Sequence, residues 1–205
     1  MDTSKFMNKK YGLIAVVAIL VIWGIASYNG LVNKDETVTK AWANVETDYQ
    51  RRADLIPNLV EVVKGYAEHE SSTFKEVVEA RAKATSLQVN IEDVTEENMA
   101  KLEEFQKAQG ELSTALGKLL AITEAYPDLK ANENFKDLQV QLERTENRIK
   151  ESRKEYNEAV QKYNVSVRRF PSNIIANTCG FEKKVPFQAA EGAEKAPDLK
   201  GAFDK

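Results

Sequence analysis

Residues 135–170 read FKDLQVQLERTENRIKESRKEYNEAVQKYNVSVRRF. Phe135, Leu142, Ile149, Tyr156, Tyr163 and Phe170 recur in it at every seventh position without a miss. A seven-residue repeat of bulky apolar side chains lines up on one stripe of a helix. The companion positions, Leu138, Thr145, Ser152, Ala159 and Ser166, are mostly small. A bulky row beside a small row lets a neighbouring helix approach closely. The predicted helix covers about 36 residues, hence about 54 Å. Pro171 stops it, and Ser172–Gly180 reads as one short helix with Gly180 as its C-cap.

The stretches before it carry the same kind of stripe. Leu102, Phe105, Gln109, Leu112, Leu116, Leu119, Thr123 and Tyr126 alternate in steps of three and four, which predicts a helix ending before Pro127. Asp93-Val94-Thr95-Glu96 has the form of a capping box at its start. The short connection 127–132 predicts an antiparallel neighbour. Upstream, Val38, Trp42, Val45, Tyr49, Ile56, Leu59, Val63, Tyr66, Phe74 and Val77 predict one helix over about residues 36–84. Pro57 lies inside it and predicts a kink rather than a stop, with Gly65 a second soft point.

Further upstream, residues 11–28 read YGLIAVVAILVIWGIASY, 18 residues without a charge. As a helix they cover about 27 Å, close to the hydrocarbon thickness of a bilayer, with a tyrosine at each headgroup end. A retained transmembrane anchor is the favoured reading. A cleaved signal peptide, cut after Gly24-Ile25-Ala26, is the alternative, but the apolar run is longer than a usual signal core. Lys5, Lys9 and Lys10 before the span, against Lys34 and Lys40 after it, favour a cytoplasmic N-terminus in the plasma membrane, with the bulk of the chain on the non-cytoplasmic side.

The expected architecture is therefore all-α: an N-terminal transmembrane helix, then an antiparallel up-down bundle of three long helices. The first is kinked near Pro57, so that a count of four is also possible. The boundaries read as a basic segment 1–10, an anchor 11–30, a bundle 31–186 and a mobile tail 187–205.

Composition narrows the function. Charged residues make up 30% of the 205, with a net charge of −3, and no basic patch points to nucleic acid. The single cysteine, Cys179, allows no intramolecular disulfide and lies far from the anchor, so it is no lipoprotein acylation site. His69 is the lone histidine, and Thr73 stands where a zincin motif would place a second. No G-x-S-x-G, Walker loop or G-x-G-x-x-G occurs. No cofactor, metal or catalytic set is expected.

Arg52 shares the helical phase of Tyr49 and Ile56 and so faces the bundle. A buried arginine needs a carboxylate. Asp54 is too close in sequence to serve, while Glu143 or Glu146 can reach it from the third helix; snorkelling to water is the alternative.

Several segments together resemble the bacterial LemA family. They are Tyr28-Asn29-Gly30-Leu31-Val32, Ala41-Trp42, Arg51-Arg52-Ala53-Asp54-Leu55-Ile56-Pro57-Asn58-Leu59-Val60, Val63 through Glu70, Tyr126-Pro127-Asp128-Leu129-Lys130-Ala131-Asn132, Glu146-Asn147-Arg148-Ile149, Tyr156-Asn157 and Tyr163-Asn164. The resemblance runs from about residue 11 to 181 and departs in the tail, where Pro186-Phe187-Gln188 stands in place of an aromatic pair. It implies a single-pass membrane protein with a helical-bundle domain and no known enzymatic activity. Family genes often lie beside those of membrane metalloproteases, and relatives in magnetosome-forming bacteria are linked to membrane invagination. The expected role is a membrane-anchored scaffold or interaction protein of the cell envelope. The alternatives are an adaptor of a membrane protease or a membrane-remodelling protein. The expected partners are the lipid bilayer through residues 11–30, a membrane protease, and further copies of the chain, for which the small row on the third helix is a candidate contact.

Overall fold

In the computed structural model, which describes residues 3–188 and side chains from residue 11 onward, α1 runs from Thr3 to Lys64 as one helix of 62 residues. The span and the first bundle helix, read separately from the sequence, are thus a single rod about 93 Å long. No proline interrupts the junction between Tyr28 and Glu36, and a lone Gly30 costs only about 1 kcal/mol of helix propensity.

The sequence predicts no stop at Pro57, and α1 does continue through it. Proline removes the donor that would satisfy the carbonyl four residues back. Here that carbonyl, on Ala53, accepts instead from Arg81 Nε at 2.7 Å. The reversal comes at Gly65–Glu70, where the backbone bonds shorten from i−4 to i−3: Tyr66 N donates to Val63 O at 3.0 Å and Glu70 N to Ala67 O at 3.0 Å. Phe74 and Val77 therefore belong to a separate helix, α2 (Ser71–Ser86). The predicted single helix over 36–84 is two antiparallel ones.

The capping box at Asp93 does not form. Asp93 closes a one-turn 3-10 helix, Ile91–Asp93, and α3 starts later, at Met99–Ile122. Val94 is fully buried, and Thr95 pairs with Lys184 in an isolated antiparallel bridge. Those contacts hold the backbone out of the helical region where the box would have nucleated a turn. A second 3-10 turn, Thr123–Ala125, precedes Pro127, which takes the first position of the short α4, Pro127–Ala131. Asn132 then caps α5 (Glu133–Arg168), accepting from Phe135 N at 3.0 Å.

Phe135, Leu142, Ile149, Tyr156 and Tyr163 are all buried along α5. Phe170 is not: it is 76% exposed. The helix ends at Arg168 and Arg169 is extended, so the seven-residue phase no longer applies, and Val167, four residues after Tyr163, closes the stripe instead. α6 (Ser172–Cys179) follows, with Gly180 as its left-handed cap at φ 74°.

Contacts climb α1 as they descend α5: Lys34 Nζ to Ser166 Oγ at 2.6 Å, Arg52 to Glu146 at 2.9 Å, and Tyr66 Oη accepting from Asn132 Nδ2 at 3.0 Å. Lys83 to Glu111 at 2.7 Å and Glu76 with Lys118 set α2 antiparallel to α3. The result is an up-down bundle of four helices, α1, α2, α3 and α5. The six α-helices are joined by no strand among the described residues.

Two core clusters stack along the bundle. The one far from the apolar end of α1 holds Ile56, Leu59, Val77, Leu112, Leu119 and Phe135, and all four helices contribute to it. The near one holds Leu31, Trp42, Tyr49, Phe105, Tyr156 and Tyr163. By that level α2 has ended, and its place is taken by Val89, Val94, Val185 and Phe187.

Candidate functional site

Side-chain chemistry concentrates in three places. The first is around Arg52, a residue only 1% exposed. Its Nη1 donates to Glu146 Oε1 at 2.9 Å and to Ser113 Oγ at 2.8 Å. Its Nη2 donates to the Gln109 carbonyl at 3.3 Å and to Gln109 Oε1. The guanidinium lies over the Tyr49 ring, 5.1 Å from its centre. Gln109 Nε2 in turn donates to Ala84 O at 3.3 Å. Arg52 thus ties α1 to α3 and α5, and Gln109 extends the network to the end of α2. Of the two glutamates in reach by sequence, Glu146 is the partner; Asp54 instead accepts from Gln50 Nε2 at 2.7 Å. The network joins four helices and leaves only Arg52 Nε without a partner; an open cavity of about 730 Å³ beside it is lined by Trp42, Glu46, Arg51, Asp54 and Gln109.

The second place is an extended strap, residues 181–188, laid across α5. Asn164 clasps Lys184, accepting from its N at 3.0 Å and donating to its carbonyl at 2.8 Å. Asn157, one heptad earlier, clasps Phe187 in the same two ways at 2.8 and 3.2 Å. Tyr156 Oη donates to Val185 O at 2.9 Å. Phe187 stacks on Trp42, with ring centres 5.6 Å apart and planes 14° apart, and Arg153 lies over its other side at 4.7 Å. Phe187 and Gln188 were expected in a mobile tail, but Phe187 is core; the remainder of that tail, 189–205, lies outside the described residues. The repeated Tyr-Asn pairs were the available signal, since an asparagine beside each core tyrosine offers a donor and an acceptor to a passing backbone.

The third place is the apolar end of the bundle. None of the apolar 18-residue window of α1 is buried against the rest of the described chain, and the helix is long and apolar enough to cross a membrane. Yet α6 reaches down beside its last turns. Trp23, Gly24 and Ser27 are half-buried, and a Cβ placed on Gly24 would sit 3.9 Å from Ile175 Cδ1. The Tyr28 and Phe181 rings meet edge to face at 5.7 Å. The sequence reading ended the bundle above this level and missed the contact.

The row Thr145, Ser152 and Ala159 is buried within the single chain, and Lys34 occupies Ser166. Three members of the small row are thus packed inside the bundle. His69 is exposed in the turn after α1, and among the described residues no group of three or more His, Cys, Asp or Glu is placed to hold a metal ion.

The LemA family model matches residues 41–200, most of the chain and every described element from the second half of α1 onward. The chain belongs to the LemA family. The magnetosome protein MamQ of Magnetospirillum gryphiswaldense is 30% identical over 186 residues, covering 83% of this chain and 66% of that relative. Magnetosome protein MamQ 2 of Paramagnetospirillum magneticum is 28% identical over 196 residues, or 87% of this chain and 72% of the relative. Protein LemA of Metamycoplasma hominis is 20% identical over 178 residues, 87% of this chain and 76% of its own. The Arg52 network and the Asn157 and Asn164 clasps of this LemA-family chain both lie within the matched region.

Proposed function

We propose that this LemA-family protein is a membrane-anchored scaffold of the bacterial cell envelope that performs no catalysis. The observation that carries the reading is the continuity of α1, whose apolar turns and core-forming turns belong to one uninterrupted helix from Thr3 to Lys64. A flexible linker would suit an enzyme that must search for substrate; a linkerless rod suits a protein that holds a surface at a set distance and attitude from the bilayer. The titratable residues support the same reading. Arg52, the one deeply buried charge among the described residues, is consumed in joining helices. The lysines before the span favour the plasma membrane with the bundle outside the cytoplasm. No specific contact favours a protease adaptor or a membrane-remodelling protein over this reading.

The test is carbonate extraction of bacterial membranes, followed by protease treatment of spheroplasts. Full-length protein should stay in the carbonate-washed pellet, and its bundle should be digested from outside. Release by carbonate, or a mature chain beginning near Ser27, would overturn the anchor; digestion only after lysis would reverse its orientation.

A further inference from the structure

The apolar stretch of α1 is not free along its whole length, and its geometry sets a constraint on the bundle. Ile175 of α6 lies against Gly24, inside the uncharged stretch rather than beyond it. From Tyr11 to the level of Gly24 a helix rises only about 20 Å, whereas a hydrocarbon core is about 30 Å thick. Lys9 and Lys10 bar the span from moving far in the N-terminal direction. A bilayer that covers the apolar turns of α1 must therefore reach α6 as well.

The surface of α6 and of the corner before it fits that position. Phe170 is 76% exposed and Ile174 is 52% exposed, and Val165, five residues before Phe170, is also exposed, so large apolar side chains gather at this corner. Arg168 and Arg169 precede them, and among the described residues neither has a carboxylate within ion-pair distance. Ser166 is level with Lys34. The two arginines thus fall two to three residues nearer the apolar end, about at the level where Tyr28 and the following turn meet the headgroups. Apolar side chains below and unpaired guanidinium groups above is the arrangement that seats a segment in a bilayer interface.

We infer that the α5–α6 corner, Phe170 with Ile174, is a second membrane contact: it inserts into the interface of the same leaflet that α1 leaves, with Arg168 and Arg169 on lipid phosphates. The inference rests on the anchor reading above. The chain would then stand on two feet, a spanning helix and an interfacial one, and the Ile175–Gly24 and Phe181–Tyr28 contacts would brace the second foot against the first.

The experiment uses the full-length protein with Cys179 replaced by serine, reconstituted in vesicles of phosphatidylcholine and phosphatidylglycerol. Single cysteines at positions 19, 143, 170 and 174 carry a nitroxide, and collision with oxygen is compared with collision with a water-soluble nickel chelate. Ile19 and Glu143 are controls in the span and on the exposed face of α5. Positions 170 and 174 should be oxygen-favoured like 19, and unlike 143. Nickel-favoured collision at 170 and 174 with oxygen-favoured collision at 19 would overturn the inference and leave the anchor intact. Nickel-favoured collision at 19 too would overturn both. Protection of 170 and 174 from both reagents would overturn it in favour of a protein partner. A second readout is Arg168→Gln/Arg169→Gln, which should make labels at 170 and 174 shallower in anionic vesicles; an unchanged depth would refute the phosphate contact.

Discussion

Arg52→Ala should be among the most damaging single substitutions in this chain. The side chain is 1% exposed and donates to Glu146, Ser113 and both oxygens of Gln109. The losses are unequal. Glu146 is 32% exposed and can take up water when its partner goes. Ser113 Oγ still donates to the Gln109 carbonyl at 3.1 Å. Gln109 Oε1 is left buried with no donor, at a cost of about 1–3 kcal/mol. Truncating a large buried side chain over Tyr49 adds a cavity, so the total should be about 3–5 kcal/mol. Arg52→Met refills most of the volume and avoids any unpaired charge in the core, and should cost about 1–3 kcal/mol, chiefly the orphaned Gln109. Glu146→Gln keeps a hydrogen-bond acceptor at a half-exposed site and should cost about 1–2 kcal/mol. Urea unfolding of the full chain in mild detergent, followed by far-ultraviolet circular dichroism, gives all three values. Loss of under about 1 kcal/mol in Arg52→Ala, or Glu146→Gln costing as much as Arg52→Ala, would refute the view that Arg52 couples the helices through a buried, multiply bonded guanidinium.

Arg81→Met should cost about 1–2 kcal/mol by orphaning the Ala53 carbonyl, and the cost should fall below about 0.5 kcal/mol in a Pro57→Ala background, where the helix supplies its own donor; equal costs in both backgrounds would show the bond is incidental. Ile149→Asp, at a 4% exposed position, should destabilise by several kcal/mol, whereas the exposed Glu151→Ala should change stability by under about 0.5 kcal/mol, as melting curves of the pair would show. Asn157→Ala should loosen the end of the strap, seen as faster hydrogen exchange at Phe187 N and increased fluorescence quenching of Trp42, with α5 helicity retained; unchanged exchange would mean that the Asn157 clasp does not hold it. Burial holds the phenols of Tyr49, Tyr156 and Tyr163 above their ordinary range. The folded chain then keeps protons that the unfolded chain gives up, so the contribution of these phenols is fully present below about pH 10 and stability should fall as pH rises beyond it, less steeply in Tyr156→Phe.

The helical class was legible because periodicity is a local property. Each of Leu142, Ile149, Tyr156 and Tyr163 announces its face through neighbours three and four residues away. Helix ends were harder, because partners distant in sequence decide them. Pro57 reads as a kink that does not stop α1, and Arg81 from the next helix satisfies the Ala53 carbonyl it frees; Gly65 reads only as a soft point, and the reversal there follows from Ala67 finding the core. Asp93 reads as a cap until Val94 and Thr95 are claimed by the C-terminal strap. Phe170 kept its heptad number but lost its helix. Arg52 was legible by phase, and its carboxylate was narrowed to two glutamates, but the role of Gln109 and Ser113 depended on the angle at which α3 crosses. The docking of α6 beside Gly24 had no local signal at all, because nothing in Ser172–Cys179 states which turn of α1 it will meet.

The unbroken passage of α1 from apolar turns to core has a mechanical consequence. Spanning helices change tilt as bilayer thickness changes. With the apolar turns held in a bilayer, the stretch from Tyr28 to Lys64 is a lever arm about 54 Å long. A change of tilt of about 10° would swing its tip through about 9 Å, and a rotation about the helix axis would turn the charged flanks of α2 and α3 by the same angle. Membrane thickness and lateral tension would thus be converted into displacement at the far turn, around His69, without any conformational change inside the bundle.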